Sequence, residues 1–220
     1  MKNKNPIWHS GDKSLYVFQF GRLYTHTGVF VNGETKSAFL VDAPFGSHEF
    51  LKNSLLRNIT VEAILITHGH WDHIGDDHLF KKDGAKVYAH RDDRMVIEHP
   101  DVITPFAGSN MGLTPCVVDC VIGDDFCFNL AGVELYSRHV PGHSPGDVIF
   151  YIKCAGIAFV GDTLFRDGIG RCDLFGGSEE MLISGIKEKI LSLPGDTIII
   201  PGHSGFTTVE YERENNRHLR

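Results

Sequence analysis

The stretch Thr67-His68-Gly69-His70-Trp71-Asp72-His73 closes a segment, residues 61–67, that reads as a buried strand. Four potential metal ligands fall within six positions. In extended backbone His68 and His70 point to the same side and can share one ion, whereas a turn into a helix beginning near Asp72 aims Asp72 and His73 elsewhere. Two adjacent metal sites follow from that divergence. The competing reading, a polar loop in which Asp72 caps a helix and the histidines face solvent, does not account for this density of ligands.

Three later positions complete the set. They are His143 in Pro141-Gly142-His143-Ser144-Pro145-Gly146-Asp147, Asp162 in Val160-Gly161-Asp162-Thr163, and His203 in Pro201-Gly202-His203-Ser204-Gly205. Each ends or follows an expected strand and sits beside glycine, which tolerates the close approach that a crowded centre needs. There is also an internal echo. Phe39-Leu40-Val41-Asp42, a helix, then Ile64 to His68 resembles Phe159-Val160-Gly161-Asp162, a helix, then Ile198 to His203. Two such halves packed sheet against sheet would bring an acid and a histidine from each to one edge. Asp42, at a strand end, is placed either to accept a hydrogen bond from a ligand histidine or to close a turn.

The 220 residues are 42% apolar and 22% charged, enough to bury a substantial core, and the length suits a single domain over 1–220. Lys and Arg number 21 against 28 Asp and Glu, for a net charge of −7, without the basic stripe that binding to phosphate backbones requires. Residues 1–6 lack the apolar run of a signal peptide, and no window approaches the roughly 20 apolar residues of a membrane span. The expectation is a cytoplasmic protein whose partner is a small-molecule substrate, neither nucleic acid nor membrane, with its oligomeric state open. Five cysteines, none in a C-x-x-C pair, point to free thiols.

Residues 14–20 and 29–42 read as extended, the second turning at Asn32-Gly33. Ser47 is expected to cap a helix running to Arg57, and a second helix is expected over residues 73–82. Short strands are predicted at 86–89, 117–122, 133–138, 147–153, 157–160 and 197–200, and Ser178 heads a helix with Leu182, Ile186 and Ile190 on one face. Between Thr104 and Pro115, glycine and proline exclude regular structure and predict a loop long enough to cover a site, lined by Phe106 and Met111.

The order His-x-His-x-Asp-His, then His, Asp and His, resembles the metallo-β-lactamase superfamily at every position, and the resemblance spans nearly the whole chain. It implies an α/β fold, a four-layer αββα sandwich, with one metal held by His68, His70 and His143, a second by Asp72, His73 and His203, and Asp162 bridging both. Zinc is the first expectation for the two divalent ions, and iron or manganese suits the same nitrogen and oxygen donors. Authentic zinc β-lactamases of the commonest type carry Cys where Asp162 stands, and flavodiiron proteins carry Glu where His70 stands. A narrower match, Gly161 to Phe165, Gly168-Ile169-Gly170-Arg171-Cys172-Asp173 and Gly176-Gly177, looks like the glyoxalase II branch. Its Arg-x-Asp, here Arg171 and Asp173, reads as a brace for the site or as a surface ion pair. Only 17 residues follow His203, so the similarity is to the short type without the helical domain that grips glutathione.

Two divalent cations less Asp72, Asp162 and one bridging hydroxide leave a charge of about +1, enough to steady one new oxyanion. Attack by that hydroxide, with Asp72 and Asp162 as the catalytic carboxylates, suits a thioester best. A thiol of pKa near roughly 8.5 departs with little help from a general acid. S-lactoylglutathione is the expected kind of substrate. The competing readings are a persulfide dioxygenase with a single iron on His68, His143 and Asp162, a lactone or phosphodiester hydrolase on the same metals, and a non-catalytic metal-stabilised module, which would have lost ligands.

Overall fold

A computed structural model of the chain describes residues 5–102 and 112–220. The first sheet takes its strands in chain order: β1 (Trp8–Ser10), β2 (Lys13–Phe20), β3 (Thr25–Asn32), β4 (Ser37–Val41), β5 (Thr60–Leu65), β6 (Lys86–His90) and β7 (Cys120–Ile122). β1 to β4 are antiparallel hairpins, and β4 to β7 run parallel. Parallel neighbours need crossovers. Those between β4 and β6 carry α1 (Ser47–Lys52) and α2 (Asp77–Lys82), and α3 (Arg94–Glu98) follows β6.

The second sheet contains β8 (Asp125–Leu130), β9 (Val133–His139), β10 (Val148–Ile152), β11 (Ile157–Gly161), β14 (Ile198–Pro201) and β15 (Thr207–Thr208), in the order β15-β14-β11-β10-β9-β8. Only β11 and β14 pair parallel, and the chain between them holds a small ribbon, β12 (Leu164–Phe165) with β13 (Gly168–Ile169), then α4 (Glu179–Gly185), which continues as a π-turn over Ile186–Ile190. α5 (Val209–Asn215) follows β15.

Side-chain alternation stacks these sheets. On β4, Phe39 and Val41 face the second sheet while Ala38 and Leu40 face the helices. On β10, Val148, Phe150 and Ile152 face the first sheet, and Ile149 and Tyr151 face the opposite way. Three apolar layers result. Leu51, Phe80 and Ile97 pack helices on the first sheet, Phe30, Phe39, Phe150 and Phe159 fill the gap between sheets, and Leu182, Ile186 and Val209 pack helices on the second. This is the four-layer αββα sandwich anticipated from the sequence.

Local expectations need correction. The helix expected from His73 begins only at Asp77, because the backbone before it is engaged elsewhere: the Ala43 amide donates to the His73 carbonyl and the Asp76 amide to the Ala43 carbonyl. Ser47 does not cap α1. It is the first helical residue, and Asp76 instead accepts from the amides of Gly46 and His48, at 2.8 and 2.9 Å. That helix stops at Lys52 rather than Arg57. β1 and β8 were not anticipated. Ser178 does head α4, accepting from the Met181 amide. All five cysteines are free. Phe106 and Met111, with most of the loop expected to cover the site, lie outside the described residues.

Candidate metal centre

The two parallel strand pairs build the centre. In the register of the first pair Val41 lies opposite Leu65, and in the second Gly161 lies opposite Pro201. Asp42 directly follows β4, His68 lies just beyond β5, Asp162 directly follows β11, and His203 lies just beyond β14. His143 comes from the connection between β9 and β10. The echo in the sequence thus corresponds to two strand pairs releasing their functional groups at one edge of the sandwich.

All seven expected ligands come together there. The donor atoms of His68, His70 and His143 form one group, those of Asp72, His73 and His203 another, and those of His68, His73 and Asp162 a third between them. Asp162 reaches both sides: its Oδ2 is 3.7 Å from His143 Nε2, and its Oδ1 is 3.5 Å from His73 Nε2. His203 Nε2 lies 3.1 Å from Asp72 Oδ2 and 3.4 Å from Asp162 Oδ2. Gly202 makes the approach possible, since a Cβ there would fall 2.2 Å from Asp162 Oδ1 and 2.6 Å from the His73 ring.

Hydrogen bonds on the outer nitrogens set the tautomers. His73 Nδ1 donates to Asp42 Oδ2 at 2.7 Å, His143 Nδ1 to the Arg171 carbonyl at 2.9 Å, and His203 Nδ1 to the Leu23 carbonyl at 3.1 Å. Thr67 Oγ1 gives its proton to Asp42 Oδ2 and so accepts from His68 Nδ1 at 3.1 Å. Each bond turns an Nε2 lone pair inward, as metal-binding histidines require. His68 Nε2, His73 Nε2, His143 Nε2 and Asp162 Oδ1 are buried without a hydrogen-bond partner. Buried polar atoms are normally paired. Four that converge on one small volume fit divalent cations.

Charge divides the centre in two. Burial, then the neighbouring imidazoles, holds His68 well below the ordinary histidine range and His70 down to about 3, and burial lowers His143 as well. Burial pulls His73 and His203 the same way, but the carboxylates around them outweigh it, raising His73 well above its ordinary value and His203 up to about 9. Asp162 is opposed by its own burial, yet His73, His203 and His68 hold it well below the usual carboxylate range. Three neutral imidazoles therefore face a second group in which imidazoles and carboxylates favour a shared cation.

Asp42 meets the expectation of a group behind the ligands. Its backbone sits in the left-handed region at φ 60, and its carboxylate takes the Thr67 amide and hydroxyl as well as His73. Strain of this kind collects at functional sites. Arg171 and Asp173 form an exposed bidentate pair at 2.7 Å, so the side chain is a surface partner while the Arg171 carbonyl steadies His143. Sequence reasoning missed Thr25, whose hydroxyl donates to Asp72 Oδ2 at 2.8 Å, while His26, which matches no ligand position in the sequence, is bonded to the Pro201 carbonyl at 2.7 Å. It also missed Asp93 and Asp147, buried carboxylates beneath the His143 loop. The partners of Thr25, His26 and Asp93 lie too far along the chain to leave a local pattern, whereas Asp147 takes the amides of His143 and Ser144 within its own loop.

Residues 21–203 match the metallo-beta-lactamase superfamily, and the chain belongs to it. It is 37% identical over 164 residues to "Probable metallo-hydrolase YqgX" of Bacillus subtilis, covering 74% of this chain and 78% of the relative. It is 32% identical over 195 residues to "Hydroxyacylglutathione hydrolase GloC" of Haemophilus influenzae, covering 84% and 89%. Among solved structures, BLEG-1, a B3 metallo-beta-lactamase, superposes with a TM-score of 0.85 at 31% identity, covering 93% of this chain and 99% of that one. No helix among the described residues is long and apolar enough to cross a membrane.

Proposed function

We propose that the chain is a dinuclear metal-dependent hydrolase that cleaves a small thioester such as S-lactoylglutathione. The observation that carries this reading is the convergence of inward-turned Nε2 atoms on Asp162, whose carboxylate has histidines of both groups within 3.7 Å: His143 and His203 on Oδ2, His73 on Oδ1. His68, His70 and His143 would hold one ion, and Asp72, His73 and His203 the other, with Asp162 between them. Ions bound there supply a water of lowered pKa and a Lewis acid for the substrate carbonyl. Zinc, iron and manganese all suit these donors.

The protein's own groups do the positioning. Thr25 orients the Asp72 carboxylate, Asp42 orients His73, and the Leu23 carbonyl orients His203, so the second group is held on three sides. A thioester asks little more, because a thiolate leaves without a proton donor. The hydroxyacylglutathione hydrolase among the relatives supports a thioester, and the β-lactamase neighbour names the competitor. His203 supports two ions over one iron: it stands within 3.4 Å of both Asp72 and Asp162 and completes a second donor group beside the set His68, His143 and Asp162.

The test is a panel of S-lactoylglutathione, other small thioesters, lactones and β-lactams offered to the metal-loaded protein. The expected result is the highest kcat/KM on a thioester. A preference for β-lactams or lactones overturns the substrate assignment, and persulfide-dependent oxygen uptake without any hydrolysis overturns the reaction class.

A further inference from the structure

Asp93 immediately precedes α3, where an aspartate ordinarily accepts a hydrogen bond from its own helix's first turn. Here its side chain makes no such bond. The carboxylate is 2% exposed and points away, toward two loops that are distant in sequence. Its Oδ2 accepts from the Gly69 amide and the Ser144 hydroxyl, both at 2.7 Å, and its Oδ1 accepts from the Gly146 amide at 2.8 Å. Gly69 lies between His68 and His70, and Ser144 follows His143. The fit is tight on both sides. A Cβ on Gly146 would fall 2.6 Å from Asp93 Cγ, and one on Gly69 would fall 2.2 Å from Val96 of the same helix.

We propose that Asp93 is a positioning residue that sets the spacing of the His68, His70 and His143 group by clamping the two loops that carry it. The inference rests on the dinuclear reading of the centre. The other group has separate supports, since Asp42, Thr25 and the Leu23 carbonyl hold His73, Asp72 and His203. Asp93 therefore governs one metal site and leaves the other alone, which a residue needed only for folding would not do. Support behind ligands of this kind is worth about 10- to 100-fold in metal affinity.

The test compares the wild-type protein with Asp93→Asn, Asp93→Ala and Ser144→Ala. Stepwise zinc affinities are read by chelator competition, and the visible spectrum of the cobalt-loaded protein reports which site is filled. His70→Ala and His203→Ala serve as references for loss of each site. The expected result for the Asp93 variants is one affinity lowered about 10- to 100-fold, the other unchanged, and a residual cobalt spectrum matching that of His70→Ala. Ser144→Ala keeps two of the three bonds and should weaken the same site by less. Unchanged affinities overturn the proposal, as does a joint fall of both with a lower Tm of the metal-free protein. If the Asp93 variants do not fold, an unchanged affinity in Ser144→Ala overturns it alone. A wild-type protein that binds fewer than two ions takes down the dinuclear reading and this inference together.

Discussion

Two groups of histidines stand in this molecule, and their rings are set differently. Around Asp162, His68 crosses His70 at 85° and His143 at 79°, His70 crosses His143 at 86°, and His73 crosses His203 at 88°. Further along the seam between the sheets, His90 at the end of β6 and His139 at the end of β9 lie face to face, 3.8 Å apart and 14° from parallel. Asp92 and Asp124 stand beside them, within 3.7 Å of ring nitrogens. By composition both groups could bind metal, and His90, Asp92 and His139 bring donor atoms within 4.8 Å of one another.

Ring orientation separates them. An imidazole lone pair lies in the ring plane, so crossed rings can aim at one point while stacked rings aim side by side. The outer nitrogens differ too. His139 Nε2 is committed to the Pro145 carbonyl at 2.8 Å, and His90 Nδ1 takes the Asp92 amide at 3.3 Å. Burial, then the neighbouring His139, pushes His90 down to about 4, which keeps the pair from sharing two positive charges. Arg91 already occupies Asp124 at 2.8 Å. On the proposed reading the stacked pair, despite the buried and unpartnered His90 Nε2, is a structural contact between sheets, and the crossed set is the ligand cage.

The largest effect that could break this contrast is expected from His68→Ala. His68 belongs to two of the three overlapping donor groups, so both metal content and thioester cleavage should fall to the level of the metal-free protein. Retention of two ions would remove His68 from the centre. His203→Ala should cost less metal, with stoichiometry dropping from two toward one and cleavage falling by about 100-fold or more. Elemental analysis alongside kinetics separates that outcome from a single-iron centre, in which the variant would keep its full metal content.

Asp42→Asn sharpens the comparison one layer out. Asparagine tolerates the backbone at φ 60, but its amide group cannot accept from both Thr67 and His73 as the carboxylate does. Metal affinity at the His73 group is expected to fall about 10- to 100-fold with the fold intact. The smallest effect on the metal centre belongs to the double substitution His90→Ala, His139→Ala. Loss of the stacked contact, of the buried His90 ring and of the His139 bond to the Pro145 carbonyl should lower stability by about 2–4 kcal/mol, a Tm shift of roughly 4–16 °C, with metal stoichiometry unchanged. A fall in bound metal there would mean that the stacked pair binds an ion after all.

The contrast also shows what a sequence can disclose. The convergence of the seven expected ligands was legible because four of them sit within six residues after one strand and the other three follow strand ends beside glycine. The sandwich was legible through the repeated strand, acid, helix, strand, histidine order of its halves. His90 and His139 match no ligand position and read from the sequence as structural, but nothing along the chain says that two strand ends in different sheets will meet. The start of α2 was misread for a similar reason: its preceding turn bonds to Ala43 across the sheet, and that competition is invisible to local helix signals. Asp93 was hidden because its partners Gly69, Ser144 and Gly146 belong to loops distant in sequence, and no helix was expected after it.

On the proposed reading, crossed rings around Asp162 create two metal sites and no third arises at the stacked pair. Titration of the metal-free protein with zinc, followed by elemental analysis after removal of unbound ion, tests it most directly. The predicted result is saturation at two ions per chain, unchanged by His90→Ala. Saturation at one, or at three with the third lost when His90 is replaced, would contradict it.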